Sequence, residues 1–235
     1  MNADEQKRAA AVEAIAWVEE RLRDELVMGI GTGSTADHFI DLLLPLRGRF
    51  AGAVASSARS ADRLERLGIK VFDLNDCDEL PFYVDGADEI NDALEMTKGG
   101  GGALTREKIV AAAAATFVCI VDASKRVSAL GRFPLPVEAI PMARAQVIRA
   151  LIALARDEGL GAPDIVLRST AAGAPFVSDN GNCILDIHGW TIGDARRLEG
   201  RLGSIVGVVE SGLFALRPAD LLIVAGERVE TIQRR

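Results

Sequence analysis

The chain has 235 residues, of which 49% are hydrophobic and 26% are charged. This balance is typical of a globular protein with one large domain or two small ones. Its net charge of −7 argues against a nucleic-acid-binding protein. The three widely spaced cysteines, Cys77, Cys119 and Cys183, argue against a disulfide framework or a zinc site and favour reduced intracellular thiols.

The composition also argues against a membrane protein. The first residues are charged and contain no apolar run of the kind that a signal peptide has. No apolar stretch is long enough to span a bilayer. We therefore expect a cytoplasmic protein that does not associate with membranes.

The first part of the chain predicts a helix, a strand and a glycine-rich turn. Residues 4–23 place apolar side chains at helical spacing, and the apolar run Leu26–Ile30 predicts a strand. The turn G-T-G-S-T follows, and then a second helical pattern begins. Backbone N–H groups and hydroxyls at such a turn favour an anion, although an ordinary N-cap by Ser34 or Thr35 is the alternative. The residues of this candidate anion site are Thr32, Gly33, Ser34 and Thr35.

The same turn raises the question of a dinucleotide fold. Its spacing is G-x-G-x-G, whereas the dinucleotide fingerprint is G-x-G-x-x-G. The next predicted strand, Gly52–Ala55, ends in Ser56 and Ser57, whereas a dinucleotide site has an acid there to bind a ribose hydroxyl. Both features argue against NAD.

Helices and strands continue to alternate through the first half of the chain. Helical patterns cover residues 61–67 and 104–115, and apolar runs that predict strands cover 69–72, 80–84 and 116–121. Regular alternation of this kind predicts a parallel sheet with crossover helices.

The stretch from Asp85 to Lys108 carries the densest group of chemically useful side chains. Asp85 and Asp88 follow the strand 80–84, at the sheet edge where open α/β sheets bind ligands. Lys98 and four consecutive glycines, Gly99 to Gly102, come next. Because each glycine lowers stability, four in a row indicate a backbone that approaches a ligand closely or a loop that moves, and a flexible surface loop is the alternative.

Two further residues are site candidates by position. Glu107 lies in the first turn of the predicted helix 104–115, where an acid commonly offsets the helix dipole. Because strand-end acids and a lysine are predicted beside it, Glu107 is also a candidate general base. Lys125 ends the sequence D-A-S-K after the strand 116–121, at the same predicted edge, and an ordinary turn lysine is the equal alternative.

The second half of the chain predicts a smaller α+β subdomain over residues 131–205. Helical patterns cover 142–156 and 194–202, and short apolar segments lie at 164–167, 175–177 and 183–187, with a hairpin signal at Asn180-Gly181. The apolar runs 206–209 and 220–225 are predicted to rejoin the main sheet. The predicted main domain therefore comprises residues 1–130 and 206–235.

Several motifs together resemble one enzyme family. These are G-I-G-T-G-S-T at Gly29–Thr35, D-G-A-D-E at Asp85–Glu89, K-G-G-G-G-A-L-T-R-E-K at Lys98–Lys108, D-A-S-K at Asp122–Lys125 and L-G-R-F-P-L-P-V-E-A-I-P at Leu130–Pro141. In this order, and over nearly the whole chain, they resemble ribose-5-phosphate isomerase of the A type. Together with the alternating pattern, the resemblance implies an α/β fold: a Rossmann-like parallel sheet with helices on both faces, plus the smaller α+β subdomain.

The resemblance also implies an activity and a set of roles. The reaction would interconvert D-ribose 5-phosphate and D-ribulose 5-phosphate, without cofactor or metal, in a homodimer or homotetramer. Glu107 would shuttle the proton, Asp85 would assist ring opening, and Lys98 would stabilise the enediolate oxygen. The implied substrate-binding residues are Thr32, Gly33, Ser34, Thr35, Asp85, Gly86, Ala87, Asp88, Lys98, Gly99, Gly100, Gly101 and Lys125.

Two other functions remain open from the residues alone. A non-catalytic module that senses sugar phosphates would keep both glycine-rich turns but could lose Glu107 or Asp85. A metal-dependent isomerase would use the acids at Asp85–Glu89 and transfer a hydride. Sensitivity to EDTA would favour the metal enzyme, and solvent deuterium in the product would favour an enediolate.

Overall fold

The structure is a computed structural model that describes residues 1–234. Its helices are α1 (Ala3–Glu19), α2 (Ser34–Leu42), α3 (Ala58–Arg66), α4 (Leu104–Ala113), α5 (Arg144–Glu158) and α6 (Ala195–Gly203). Its strands are β1 (Val27–Ile30), β2 (Gly52–Ala55), β3 (Leu80–Asp85), β4 (Glu89–Ile90), β5 (Met96–Thr97), β6 (Ala114–Asp122), β7 (Leu135–Ala139), β8 (Asp164–Leu167), β9 (Cys183–His188), β10 (Val208–Ser211), β11 (Leu213–Phe214), β12 (Leu221–Ala225) and β13 (Val229–Gln233).

The chain divides into two compact units. Unit 1 comprises Met1–Ala87, Arg106–Arg126 and the segment from Ala219 onward, and unit 2 comprises Asp88–Thr105 and Val127–Pro218. Within residues 1–234, every helix is too short or too polar to cross a membrane.

Unit 1 is built on a six-stranded sheet with the order β13-β12-β6-β3-β1-β2. The five strands from β12 to β2 are parallel, and β13 pairs antiparallel with β12 at one edge. Helix α4 ends at Ala113 and β6 begins at Ala114, so no loop separates them. The predicted parallel sheet with crossover helices is confirmed.

Helices cover both faces of this sheet. Successive strand residues point to opposite faces, so Met28 and Ile30 share one face while Gly29 points to the other. Met28 and Ile30 belong to the buried core that α1 and α2 complete. On the opposite face, a Cβ added at Gly29 would lie 2.8 Å from Cγ1 of Val110, which is on α4. This arrangement confirms the predicted α/β class.

Caps explain where two of the helices begin. Asn2 and Glu5 form a capping box at the start of α1, in which each side chain accepts the other's backbone N–H at 2.9 and 2.8 Å. Ser57 caps α3 by accepting the N–H of Ser60 at 3.1 Å, so this helix begins three residues before the predicted residue 61.

Unit 2 has the predicted α+β character. Its larger sheet is antiparallel with the order β10-β7-β9-β8, and a three-stranded sheet has the order β11-β5-β4. Helices α5 and α6 contribute Val147, Leu151, Leu198 and other side chains to its core. Helix α5 ends where Gly159 adopts the left-handed conformation, with φ at +67°.

Three strand predictions are wrong. The run 206–209 does not rejoin the main sheet, because Val208 pairs antiparallel with Ala139 in unit 2. The runs 69–72 and 175–177 form only isolated bridges, at Val71 and Pro175. Two of these runs are also largely exposed, with Val206 83% and Val177 63% exposed, so an apolar run predicted neither their burial nor the sheet that they join. The domain boundaries predicted at 130/131 and 205/206 stay a prediction. The two compact units divide the chain at other positions. Arg235, the last residue of the predicted segment 206–235, lies outside the described residues.

A buried carboxylate in unit 2 ties three chain segments together. Glu138 on β7 is fully buried. It accepts hydrogen bonds from Thr105 in the first turn of α4, from Ser178 at 2.8 Å and from Asn182 at 2.8 Å, and Asn180 Nδ2 lies at 3.2 Å. A buried charge of this kind is stable only while its donors remain in place.

Replacing Glu138 with alanine should destabilise the protein by about 2–4 kcal/mol, because several donors lose one charged acceptor. Chemical unfolding should show a lower midpoint. Glu13→Ala, at an exposed position on α1, is the control and should change stability by less than about 0.5 kcal/mol. Equal midpoints for the two variants would show that Glu138 contributes no special stability.

Candidate active site

Asp85 is the centre of a hydrogen-bond network in unit 1. It ends β3 and is fully buried. Its Oδ1 accepts the backbone N–H of Thr32 at 3.0 Å and that of Gly86 at 2.7 Å, and its Oδ2 accepts the hydroxyl of Tyr83. These donors fix the carboxylate at the carboxyl edge of the sheet, where the sequence predicted it.

Tyr83 brings Asp85 and Glu107 into one electrostatic environment. Burial of its phenol, followed by the negative charges of Asp85 and Glu107, raises the pKa of Tyr83 well above its usual value. The hydroxyl therefore stays protonated at neutral pH and can donate to Asp85. Asp85 and Glu107 therefore both lie within electrostatic range of the same buried phenol in unit 1.

Sequence reasoning did not select Tyr83 as a site residue. A signal was present, because residues two apart on a strand share a face and Tyr83 precedes the strand-end acid Asp85 by two. Fully buried tyrosines usually have a hydrogen-bond partner, and an acid on the same face is a natural one.

Glu107 lies in the first turn of α4, as predicted, and the residue is 3% exposed. The common role of a helix-start acid is a solvated surface charge. Such burial does not fit that role. Burial together with proximity to Asp85 fits a carboxylate that acts on a bound molecule.

The turn between β1 and α2 leads into the N-terminus of a helix, where backbone N–H groups favour an anion. Gly33, with φ at +100°, is the N-cap residue of α2, so Ser34 and Thr35 are helical residues of the first turn. The alternative prediction of an N-cap by Ser34 or Thr35 is therefore wrong. Ser34 is exposed and Thr35 is buried at the positive end of the helix dipole.

Two serines that sequence reasoning did not assign support this turn. The Oγ of Ser57 lies 2.9 Å from Oγ1 of Thr32, and the Oγ of Ser60 donates to the carbonyl of Gly31 at 2.7 Å. Both serines are buried. Ser57 follows a strand and begins a helix, and this cap position was the signal available in the sequence.

Lys125 lies at the same edge of the unit 1 sheet. It ends the short 3₁₀ turn Ala123–Lys125 directly after β6, which is the neighbour of β3. The turn is fixed because Asp122 accepts the backbone N–H of Ser124 at 3.1 Å. The carboxyl ends of adjacent parallel strands thus present the Thr32 turn, Asp85 and Lys125.

The remaining candidates belong to unit 2. Lys98 follows β5, and only 2% of its surface is exposed. Its backbone N–H donates to the carbonyl of Gly212 at 2.8 Å, and its Nζ lies 5.5 Å from the ring centre of Phe214. The lysine is therefore anchored at both its main chain and its side chain.

Asp88 and the glycine loop Gly99–Gly102 are held together within unit 2. The Oδ2 of Asp88 accepts the backbone N–H of Gly100 at 2.8 Å. A Cβ added at Gly100 would lie 2.8 Å from the other oxygen of Asp88 and 3.0 Å from Cζ of Phe133. The four glycines predicted either a backbone that approaches a ligand closely or a loop that moves. At Gly100, the atoms that the backbone approaches belong to the protein's own Asp88 and Phe133.

Comparisons with known proteins identify the family of this chain. The profile of ribose 5-phosphate isomerase A (phosphoriboisomerase A) matches residues 52–228. The crystal structure of ribose 5-phosphate isomerase A from Neisseria gonorrhoeae is 42% identical, with a TM-score of 0.89 over 100% of this chain and 98% of that one.

Two further solved structures extend the comparison. A D-ribose-5-phosphate isomerase in complex with phospho-erythronic acid is 36% identical, with a TM-score of 0.88 and complete coverage of both chains. Ribose 5-phosphate isomerase A from Methanocaldococcus jannaschii is 35% identical, with a TM-score of 0.85 over 97% of this chain and 98% of that one. The chain belongs to the ribose 5-phosphate isomerase A family.

Proposed function

We propose that the chain interconverts D-ribose 5-phosphate and D-ribulose 5-phosphate by proton transfer through an enediolate, in the non-oxidative pentose phosphate pathway. The observation that carries this proposal is the pair of carboxylates, Asp85 and Glu107, that act on one buried phenol at the carboxyl edge of the sheet. Family membership supports an isomerase over the non-catalytic sensing module.

The ligand of a related isomerase supports the same reaction. That protein was solved with phospho-erythronic acid. The compound is a sugar acid phosphate with a planar carboxylate. An enediolate formed from a pentose phosphate is also planar and anionic at the corresponding end, so we infer that the site of this chain binds the same kind of molecule.

The proposed roles follow the chemistry of each side chain. Glu107 removes the proton from C2 of the aldose and returns it to C1, which needs a carboxylate shielded from water. Asp85 moves protons on the sugar oxygens during ring opening, and its contact with the protonated Tyr83 keeps it oriented. Lys98 stabilises the negative oxygen of the enediolate.

The other proposed contacts hold the substrate. Asp88 orients the sugar, the Thr32–Thr35 turn binds the phosphate at a helix N-terminus, and Lys125 adds a positive charge at the same sheet edge. Gly86, Ala87 and the loop Gly99–Gly101 line the pocket in this proposal. The homodimer or homotetramer stays a prediction from the family resemblance, and the cytoplasmic location stays a prediction from the composition.

The proposal is tested by incubating the purified protein with ribose 5-phosphate in D₂O and EDTA, without nicotinamide. We expect ribulose 5-phosphate that carries deuterium at C1, because the proton that the base removes from C2 can exchange with D₂O before the base protonates C1. Binding without conversion would indicate the sensing module. Loss of activity in EDTA, together with a product that retains the substrate hydrogen when EDTA is left out, would indicate a metal-dependent hydride transfer.

A further inference from the structure

Arg168, which follows β8, is bound on several sides within unit 2. Its side chain is 13% exposed. Its Nε donates to Oδ2 of Asp186 at 2.8 Å, and its Nη2 donates to the other carboxylate oxygen. Its Nη1 donates to the carbonyl of Gly99 at 2.7 Å and lies 3.2 Å from that of Gly100.

The peptide between Gly99 and Gly100 is therefore held at both ends. Its carbonyl accepts from Arg168, and its N–H donates to Oδ2 of Asp88 at 2.8 Å. Because a peptide group is planar, two contacts at opposite ends fix its orientation. A continuous chain of hydrogen bonds thus runs from Asp186 through Arg168 and this peptide to Asp88.

The loop needs such external contacts, because glycines have no side chains that restrict the backbone. Its own hydrogen bond, from the N–H of Gly102 to the carbonyl of Gly99 at 2.9 Å, closes the turn but does not orient it. Phe176 packs where a Cβ at Gly102 would lie, and the Arg168 guanidinium is 5.8 Å from the centre of the Phe176 ring.

We propose that Arg168 is a positioning residue for substrate binding: it fixes the Gly99–Gly100 peptide so that Asp88 keeps the orientation that binds the sugar. This inference rests on the proposed function. The charge of Arg168 is matched by Asp186, and its donors are directed at Asp186 and the loop carbonyls. Arg168 therefore acts through the loop, without a substrate contact of its own.

The first test is Arg168→Lys. A lysine ammonium cannot make the paired contact with Asp186 and also hold the loop carbonyls. We expect the KM for ribose 5-phosphate to rise about tenfold, as for the loss of one charge-assisted hydrogen bond, with kcat changed less than about threefold. Asp186→Asn, which keeps the arginine, should raise KM in the same direction by less.

A matched control is Arg63→Lys. Arg63 makes the same paired contact with Asp41, at 2.9 and 2.6 Å, on a solvent-exposed part of unit 1. This variant should leave KM and kcat unchanged. If Arg168→Lys also leaves both unchanged, the positioning role is wrong.

A double-mutant cycle separates positioning from a general structural role. If Arg168 acts through Asp88, the KM of Asp88→Ala combined with Arg168→Lys should equal that of Asp88→Ala alone within about twofold. Amide hydrogen exchange should become faster at Gly99–Gly102 in Arg168→Lys and stay unchanged in α5 and α6.

The proposal would be contradicted if the KM of the double variant rose by the product of the two single effects. Faster amide exchange throughout unit 2 would also contradict it. A wild-type protein that fails to convert ribose 5-phosphate would contradict the proposed function instead. The two failures are therefore distinguishable.

Discussion

Replacing Glu107 with glutamine is expected to lower kcat by about 10³-fold or more, because the variant loses the only group proposed to carry the proton between C1 and C2. Glutamine has nearly the same shape and can still accept hydrogen bonds. It cannot take up a proton at neutral pH. The Kd for ribose 5-phosphate should therefore change by less than about threefold, which is the pattern of an interaction made in the transition state.

Steady-state assays in both directions and calorimetric binding of ribose 5-phosphate give the two quantities. Glu13→Gln removes an exposed carboxylate from α1 and should have no effect on either. Deuterium wash-in from D₂O should fall in parallel with kcat in Glu107→Gln. Near-normal turnover in this variant would assign the proton transfer to another residue, with Asp85 as the first alternative.

Gly31→Ala is expected to lower kcat/KM by about 10²-fold or more, since displacement of a reacting group by a fraction of an ångström has effects of this size. A Cβ at Gly31 would overlap Oδ1 and Cγ of Asp85. The carboxylate would have to move away from the N–H groups of Thr32 and Gly86. The main chain of Gly31 cannot shift easily either, because its N–H donates to the carbonyl of Val84 at 2.8 Å.

The matched control is Gly48→Ala, where an added Cβ meets no atom within 4 Å. It should leave activity unchanged. Overpacking should also lower the stability of Gly31→Ala by about 1–3 kcal/mol, so activity is measured well below its melting temperature. A folded Gly31→Ala protein with normal kcat/KM would show that the position of Asp85 is unimportant for the reaction.

Much of the site was predictable because it depends on strand ends. Asp85 and Lys125 follow apolar runs, Glu107 opens an alanine-rich helix, and parallel strands bring their carboxyl ends to one edge. These inferences need only the local pattern and the rule that strands alternating with helices are parallel.

The supporting residues were not predictable in this way, because their contacts join distant parts of the chain. Arg168 binds a loop 69 positions earlier, and Thr105 reaches Glu138 across 33 positions. In the sequence, Arg168 is one charged residue at the end of a short apolar segment. The role of Arg168 depends on the burial of its side chain and on its pairing with Asp186, and both follow from the tertiary fold.

Because α4 and β6 join directly, this part of the enzyme has no loop that could accommodate a change in chain length. Glu107 lies near one end of the joined pair and Lys125 just beyond the other, and no linker between them can absorb an added residue. One inserted residue at the junction would either turn the glutamate about 100° around the helix axis or exchange the two faces of the strand. Insertions and deletions should therefore be tolerated in the turns of unit 2 long before they are tolerated between Ala113 and Ala114.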